Sequence, residues 1–269
     1  MTLYAEVIGD PISHSKSPLI HRFWLQKLGI AADYRAHHVL AEDLPAYFAD
    51  RLADPLWRGC NVTIPHKLAV LDHVTDPGGV RDTIGAANTV FRNGDGILQA
   101  TNTDAAGFFG PISDMDWTGA PVVVIGSGGA ARAVLFALAQ AEVGDVMLMA
   151  RNPLKGAALL ARFGLKGQVL GMSAPLPPAA LVVNCSPLGM TGQESLALDL
   201  SPLPGDAWVY DLVYVPLETG LLKAAKQRGL ETVDGLEMLV GQAALAFEMF
   251  YGVAPPADSD EELRAMLLK

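Results

Sequence analysis

The sequence predicts an α/β protein of two domains, and three observations predict it. From Val122 onward, short strand-like runs alternate with helical stretches, the pattern of βαβ units on a parallel sheet. The first of these runs ends in a glycine-rich turn, Gly126-Ser127-Gly128-Gly129-Ala130-Ala131, which opens into an Ala- and Leu-rich helix. A chain of 269 residues, 51% of them hydrophobic, can bury two cores of ordinary size.

The elements follow in order. Residues 3–8 form a strand, closed by the breakers Gly9-Asp10-Pro11. A helix starts near Pro18, because the first turn does not need the N–H that proline lacks, and runs through Phe23, Trp24 and Leu28 to Gly29. Residues 34–39 form a second strand, 44–51 a helix, 59–62 a third strand and 68–74 a short helix. Two strands, 87–92 and 97–101, flank Asn93-Gly94-Asp95-Gly96, a strong hairpin signal. Residues 111–121 mix breakers with polar groups and lack periodicity; they are the approach to the second domain. There, strands at 122–125, 146–150, 181–184 and 208–212 alternate with helices near 130–140, 155–163 and 221–228. Residues 236–251 form a long helix too apolar to be exposed, in which Glu237, Gln242 and Glu248 stand out.

Composition narrows the function. A net charge of −10, from 19 basic and 29 acidic residues, argues against a protein that grips nucleic-acid phosphates. Cys60 and Cys185 lie far apart, which suggests reduced thiols and a cytoplasmic protein. The six histidines show no metal-ligand spacing, so no metal is expected. Neither a secretory leader nor an apolar run of membrane-spanning length is visible, so no membrane partner is expected.

Three motifs carry chemistry. In Gly126-x-Gly128-x-x-Ala131 the first glycine allows a tight turn, the second lets a pyrophosphate approach the backbone, and Ala131 lets helix and strand pack closely. The phosphates then meet the N–H groups of the helix start. About 20 residues on, NAD binders place a carboxylate against the ribose 2′-hydroxyl. Here the strand ends in Ala150-Arg151-Asn152-Pro153-Leu154-Lys155, without a carboxylate; Arg151 and Lys155 suit a 2′-phosphate, which favours NADP. The third motif is split. Asn61-Val62-Thr63-Ile64-Pro65-His66-Lys67 and Asn102-Thr103-Asp104 each frame one charged residue with Asn and Thr, donors and acceptors suited to an array of hydroxyls. Taken singly, each is equally readable as a polar turn with a surface lysine or a capping aspartate.

These segments, with Gly9-Asp10-Pro11-Ile12-Ser13-His14-Ser15-Lys16-Ser17-Pro18, Gly85-Ala86-Ala87-Asn88-Thr89, Asn184-Cys185-Ser186-Pro187-Leu188-Gly189-Met190, Asp211-Leu212-Val213-Tyr214-x-Pro216 and Gly235-x-x-Met238-Leu239-x-x-Gln242, resemble the shikimate dehydrogenases over nearly the whole chain. The resemblance implies reduction of 3-dehydroshikimate to shikimate with NADPH, in aromatic amino-acid biosynthesis. It implies a discontinuous substrate domain, residues 1–104 and 237–269, and a Rossmann-type NADP domain, residues 105–236. Lys67 and Asp104 would be the catalytic pair. Ser15 and Ser17 would hold the substrate carboxylate, Thr63, Asn88, Asp104 and Gln242 would read the ring hydroxyls, and Tyr214 would line the site. Gly126, Ser127, Gly128, Gly129, Ala130, Arg151, Asn152, Lys155, Ser186, Leu212 and Gly235 would hold the cofactor.

The chain departs from the family pattern around Arg151: Ala150 and Asn152 flank it, where Asn and Ser or Thr are usual, and Lys155 replaces a second Arg. His14 and His66 have no assigned role. Only small-molecule partners are expected, in a monomer or homodimer. The alternatives are a quinate or dual quinate/shikimate dehydrogenase, and an NADP-binding regulatory protein, whose mark would be loss of Lys67 or Asp104; both are present.

Overall fold

The computed structural model describes residues 2–268, and the chain divides into two compact units: Met1–Asp104 with Val240–Lys269, and Ala105–Leu239.

The first unit is built on a five-stranded sheet of order β2-β1-β3-β4-β5. Strands β1 (Leu3–Gly9), β2 (Ala32–His38) and β3 (Trp57–Val62) are parallel; β4 (Thr89–Arg92) and β5 (Leu98–Thr101) form an antiparallel hairpin on the β3 edge. Register explains how distant segments meet. Ile8 pairs with Val62, Asn61 with Thr89, and Thr89 with Thr101. The ends of β1, β3 and β5 and the start of β4 therefore share one edge of the sheet, and every polar motif of the N-terminal half emerges there.

Helices α1 (Ser17–Lys27), α2 (Leu44–Ala53) and α3 (Val80–Thr83) belong to this unit, as do all but the first turn of α8 (Gly235–Tyr251) and the whole of α9 (Asp260–Leu267). The strong apolarity of α8 is used up against the sheet: Ala246 and Phe250 share a core with Ala5, Val7, Ile12 and Tyr34. Gly59 makes room for it, since a Cβ there would stand 2.5 Å from the Phe250 ring and 2.5 Å from the Val90 carbonyl oxygen. Helix α9 is tied to α1 by Lys27–Glu262 and by Lys16 donating to the Leu267 carbonyl.

The second unit begins with α4 (Asp104–Phe109), whose first residue closes the first unit, and carries a six-stranded sheet of order β11-β10-β9-β6-β7-β8. All its strands are parallel: β6 (Val122–Ile125), β7 (Val146–Met149), β8 (Gly167–Leu170), β9 (Leu181–Asn184), β10 (Trp208–Asp211) and β11 (Glu231–Val233). Helices α5 (Gly129–Gln140), α6 (Pro153–Arg162) and α7 (Gly220–Gln227) cross between strands. The order reverses between β6 and β9, and at such a switch point the carboxyl ends of the strands leave a crevice for a ligand. Every residue of β6 is fully buried, as a central parallel strand requires.

The expected α/β architecture is present, with local differences. Residues 68–74 form a 3₁₀ turn, Ala69–His73, rather than an α-helix. The strand expected from residue 87 starts at Thr89, because the backbone of Ala87 is bonded to the Lys67 carbonyl and that of Asn88 to Thr101 and Val62. Strands β8 and β11, and helices α3, α4 and α9, lie where the sequence pattern predicts no element.

Candidate active site

At the shared sheet edge of the first unit the split motif closes. The Lys67 ammonium donates to Asp104 Oδ2 at 2.6 Å, with side chains only 13% and 6% exposed. The carboxylate is held from its other side by the Asn88 amide, which donates to Asp104 Oδ1 at 2.8 Å. The same NH₂ group reaches Thr103 Oγ1 at 2.8 Å and Gln242 Oε1 at 3.2 Å. Asn88 cannot be flipped, because its Oδ1 accepts the Thr103 backbone N–H at 2.7 Å. Behind it, Thr89 donates to Asn88 Oδ1, Asn61 donates to Thr89, and the Tyr34 hydroxyl donates to Asn61 Oδ1 at 2.6 Å. A buried charge pair is costly unless its remaining valences are satisfied; this network supports the carboxylate's side of the pair and aims it at Lys67.

The flanking segments are equally constrained. Thr63 is bound through its backbone to Ile8, and its carbonyl accepts the His66 N–H. The His66 ring is buried and donates from Nε2 to the Val39 carbonyl at 2.7 Å, which pins the turn that carries Lys67; His14 is exposed. Ser15 Oγ accepts the Ser17 N–H at the start of α1, while Ser17 itself is buried.

The second unit has its own polar edge. Gly126 adopts φ +108°, and a Cβ there would stand 3.1 Å from the Ser186 backbone nitrogen, so the turn lies directly on the segment after β9. A Cβ on Gly128 would meet nothing within 4 Å, and α5 begins there without a side-chain cap, which leaves its first N–H groups for an anion. Ser127, Gly129 and Ala130 complete the turn. Arg151 and Lys155 are exposed after β7, and Asn152 caps α6 by accepting the Lys155 N–H at 3.0 Å. This open glycine turn, uncapped helix start and cation pair fit a dinucleotide phosphate chain with an added phosphate. Leu212 and Gly235 meet where β10 ends and α8 begins: a Cβ on Gly235 would stand 2.5 Å from the Leu212 carbonyl oxygen. Tyr214 is half-buried, and burial raises its phenol above the ordinary value.

The sequence marks Asn61 and Thr103 only as part of the polar frames around Lys67 and Asp104, and assigns no role to Thr89, or to Asn184, Asp211 and Thr219 in the second unit. A signal exists for two of them: Asn184 and Asp211 are the polar last residues of otherwise apolar strands. Burial pushes the thiols of Cys60 and Cys185 well up, so neither is a ready nucleophile. Among the described residues no group of three or more His, Cys, Asp or Glu is arranged to hold a metal ion, and no helix is long and apolar enough to cross a membrane.

A family model described as the shikimate dehydrogenase substrate binding domain matches residues 7–90, and one described as the shikimate 5′-dehydrogenase C-terminal domain matches residues 235–263. The shikimate dehydrogenase (NADP(+)) of Sphingopyxis alaskensis is 65% identical over 265 residues, covering 98% of this chain and 97% of its own. The chain belongs to the shikimate dehydrogenase family. Another shikimate dehydrogenase (NADP(+)), from Azorhizobium caulinodans, is 45% identical, covering 94% of this chain and 92% of its own. Among solved structures, shikimate 5-dehydrogenase from Thermus thermophilus, in complex with NADP(H) and shikimate, superposes with a TM-score of 0.86 at 36% identity, covering 99% of this chain and 100% of that one. The two family models take in Ser15, Ser17, Thr63, Lys67 and Asn88 on one side and Gly235 and Gln242 on the other; Asp104 and the Gly126 turn lie outside both.

Proposed function

We propose that this chain is an NADP-dependent shikimate dehydrogenase, which reversibly reduces 3-dehydroshikimate to shikimate in the route to chorismate and the aromatic amino acids. The observation that carries the proposal is the Lys67–Asp104 pair at 2.6 Å, locked by Asn88, Thr103 and Gln242 on one polar edge. In this scheme residues 1–104 and 237–269 hold the substrate and residues 105–236 hold the cofactor. NADPH, when bound, supplies the hydride.

The chain's own residues do the rest. As the ketone carbon is reduced, its oxygen becomes an alkoxide. Lys67 stabilises that charge and donates a proton from Nζ to the oxygen; in reverse it takes the proton back. Asp104 keeps the ammonium in place and accepts from a ring hydroxyl. Thr63, Asn88 and Gln242 orient the remaining hydroxyls, Ser15 and Ser17 hold the carboxylate, and Tyr214 lines the site. On the cofactor side, Gly126 to Ala130 take the pyrophosphate, with Ser186, Leu212 and Gly235 at the nicotinamide end. Arg151, Asn152 and Lys155 take the 2′-phosphate. Such an enzyme works in the cytoplasm on small molecules, as a monomer or homodimer.

An assay of NADP reduction with shikimate and quinate side by side tests the proposal. Turnover with shikimate and NADP is expected to exceed that with quinate, or with NAD, by at least about tenfold, a difference of ~1.4 kcal/mol. Quinate turnover equal to or above that with shikimate would reassign the substrate. Absence of turnover alongside tight NADP binding would favour a regulatory protein.

A further inference from the structure

Asp211 is fully buried in the second unit at the carboxyl end of β10. It lies beside Asn184 at the end of β9, and Asn184 lies beside Ile125, the residue before the Gly126 turn. Its carboxylate receives three hydrogen bonds: Asn184 Nδ2 at 2.9 Å and the Val213 N–H at 3.0 Å to Oδ1, and the Thr219 hydroxyl at 2.7 Å to Oδ2. The Asn184 amide cannot turn round, because its Oδ1 accepts both the Ser186 N–H and the Ser186 hydroxyl. Oδ1 of Asp211 therefore faces only donors, an arrangement that matches an ionised carboxylate. Burial holds its pKa above the ordinary carboxylate value, and the three donors pull it back down. Among the described residues no Lys, Arg or His is ion-paired with it.

Its place along the sheet gives this charge a meaning. Arg151 and Lys155 follow β7, on one side of the switch point; Asp211 ends β10, on the other. A dinucleotide lying across the switch point, with its pyrophosphate on the Gly126 turn and its 2′-phosphate at Arg151, would have its nicotinamide on the β9–β10 side. The Asp211 network shapes both segments that would border the ring, Ser186 to Leu188 and Leu212 to Thr219.

We propose that the buried carboxylate of Asp211 poises the cofactor site electrostatically, favouring the oxidised nicotinamide, whose ring is cationic, over the reduced ring, which is neutral. The two redox forms carry the same phosphates and differ at the ring by one positive charge. A fixed negative charge in a poorly solvated setting acts on that difference alone. With the cofactor bound, loss of hydride would make its ring cationic, and the Asp211 carboxylate would favour that form.

The inference rests on the proposed NADP-dependent activity, and the test separates the two. Binding of NADP and of NADPH is measured directly, by titration calorimetry or fluorescence, on wild type, Asp211→Asn and Thr219→Val. If wild type binds neither form, the proposed function fails, and this inference with it. Given binding, Asp211→Asn should weaken NADP relative to NADPH by about three- to tenfold, whereas Thr219→Val, which removes a bond to the carboxylate but keeps its charge, should leave the ratio unchanged. An unchanged ratio in folded Asp211→Asn, or an equal change in Thr219→Val, overturns the proposal. If Asp211→Asn does not fold, the salt dependence of the wild-type ratio decides. A buried charge is screened little, so the ratio should hold from low to high salt; a ratio that moves with salt assigns the preference to surface charge and overturns the proposal.

Discussion

Lys67 shows how much a single side chain is asked to do. Its ammonium is held by one carboxylate oxygen at 2.6 Å and is mostly withdrawn from water; in the proposed reaction that weak solvation strengthens its pull on an alkoxide, while Asp104 offsets part of the charge. Replacing Lys67 with Ala is expected to lower kcat by about 10²–10³-fold, the equivalent of a few kcal/mol of transition-state stabilisation, with a smaller effect on shikimate affinity; a variant that keeps a tenth of wild-type kcat would remove Lys67 from the proton-carrying role. Arg151 is the proposed counterpart at the cofactor end. Arg151→Ala is expected to raise KM for NADP about tenfold, with KM for NAD nearly unchanged, since a charge-assisted phosphate contact is worth ~1.5–3 kcal/mol. Equal losses with both cofactors would show that it packs rather than pairs.

His21 offers a test unconnected with catalysis. Its ring is fully buried, stacked on Tyr34 at 3.9 Å and surrounded by Trp24, Phe247 and Phe250, and burial pushes its imidazole down to about 3 from an ordinary 6.5. Between those values the unfolded chain takes up a proton that the folded chain refuses. His21 therefore favours unfolding progressively as pH falls below 6.5 toward 3, and its contribution to stability is complete above 6.5. One such group adds a slope of at most ~1.4 kcal/mol per pH unit. Urea midpoints from pH 7 to pH 4 should fall more steeply for wild type than for His21→Phe; parallel curves would show that the ring protonates without unfolding the protein.

Among the elements, α8 is the most consequential. It carries Gln242 to Asn88 and seats Phe250 against the sheet at Gly59. Because one of the atoms nearest a Cβ at Gly59 is a backbone oxygen, the neighbours cannot yield by rotating a side chain alone. Gly59→Ala is expected to cost ~1–3 kcal/mol in urea unfolding, and an unchanged midpoint would show that both α8 and β4 give way freely. The helix is legible from its apolarity, and the central strand β6 from its β-branched run. The strands without a sequence signal are edges: β8, Gly-Gln-Val-Leu, is half exposed, and β11 has only three residues. Edge strands bury too little to need a strong pattern. Lys67 and Asp104 are legible because each sits in a short polar frame. The network between them is not, because Asn88, Thr103 and Gln242 meet through strand register and helix packing across as many as 154 residues, and the polar brace around Asp211 joins β9, β10 and α7 in the same manner.

For the whole molecule, chain order and spatial order disagree. The first unit uses residues from both ends of the sequence, and the second is made from the middle. On a ribosome, Ala105–Leu239 is therefore finished while Met1–Asp104 still lacks most of α8 and all of α9. The older segment must wait for the youngest, with the apolar surface that Ala246 and Phe250 will cover left open meanwhile. A chain released after Leu239 should accordingly resist protease in its later half and be cut in its earlier half, and adding residues 240–269 as a separate peptide should restore protection. Equal resistance of both halves without the peptide would contradict this order of maturation. A message broken near its end would therefore yield a chain without Gln242 and with Ala5, Val7, Ile12 and Tyr34 uncovered on one face of the first sheet, a mark by which quality control would recognise it.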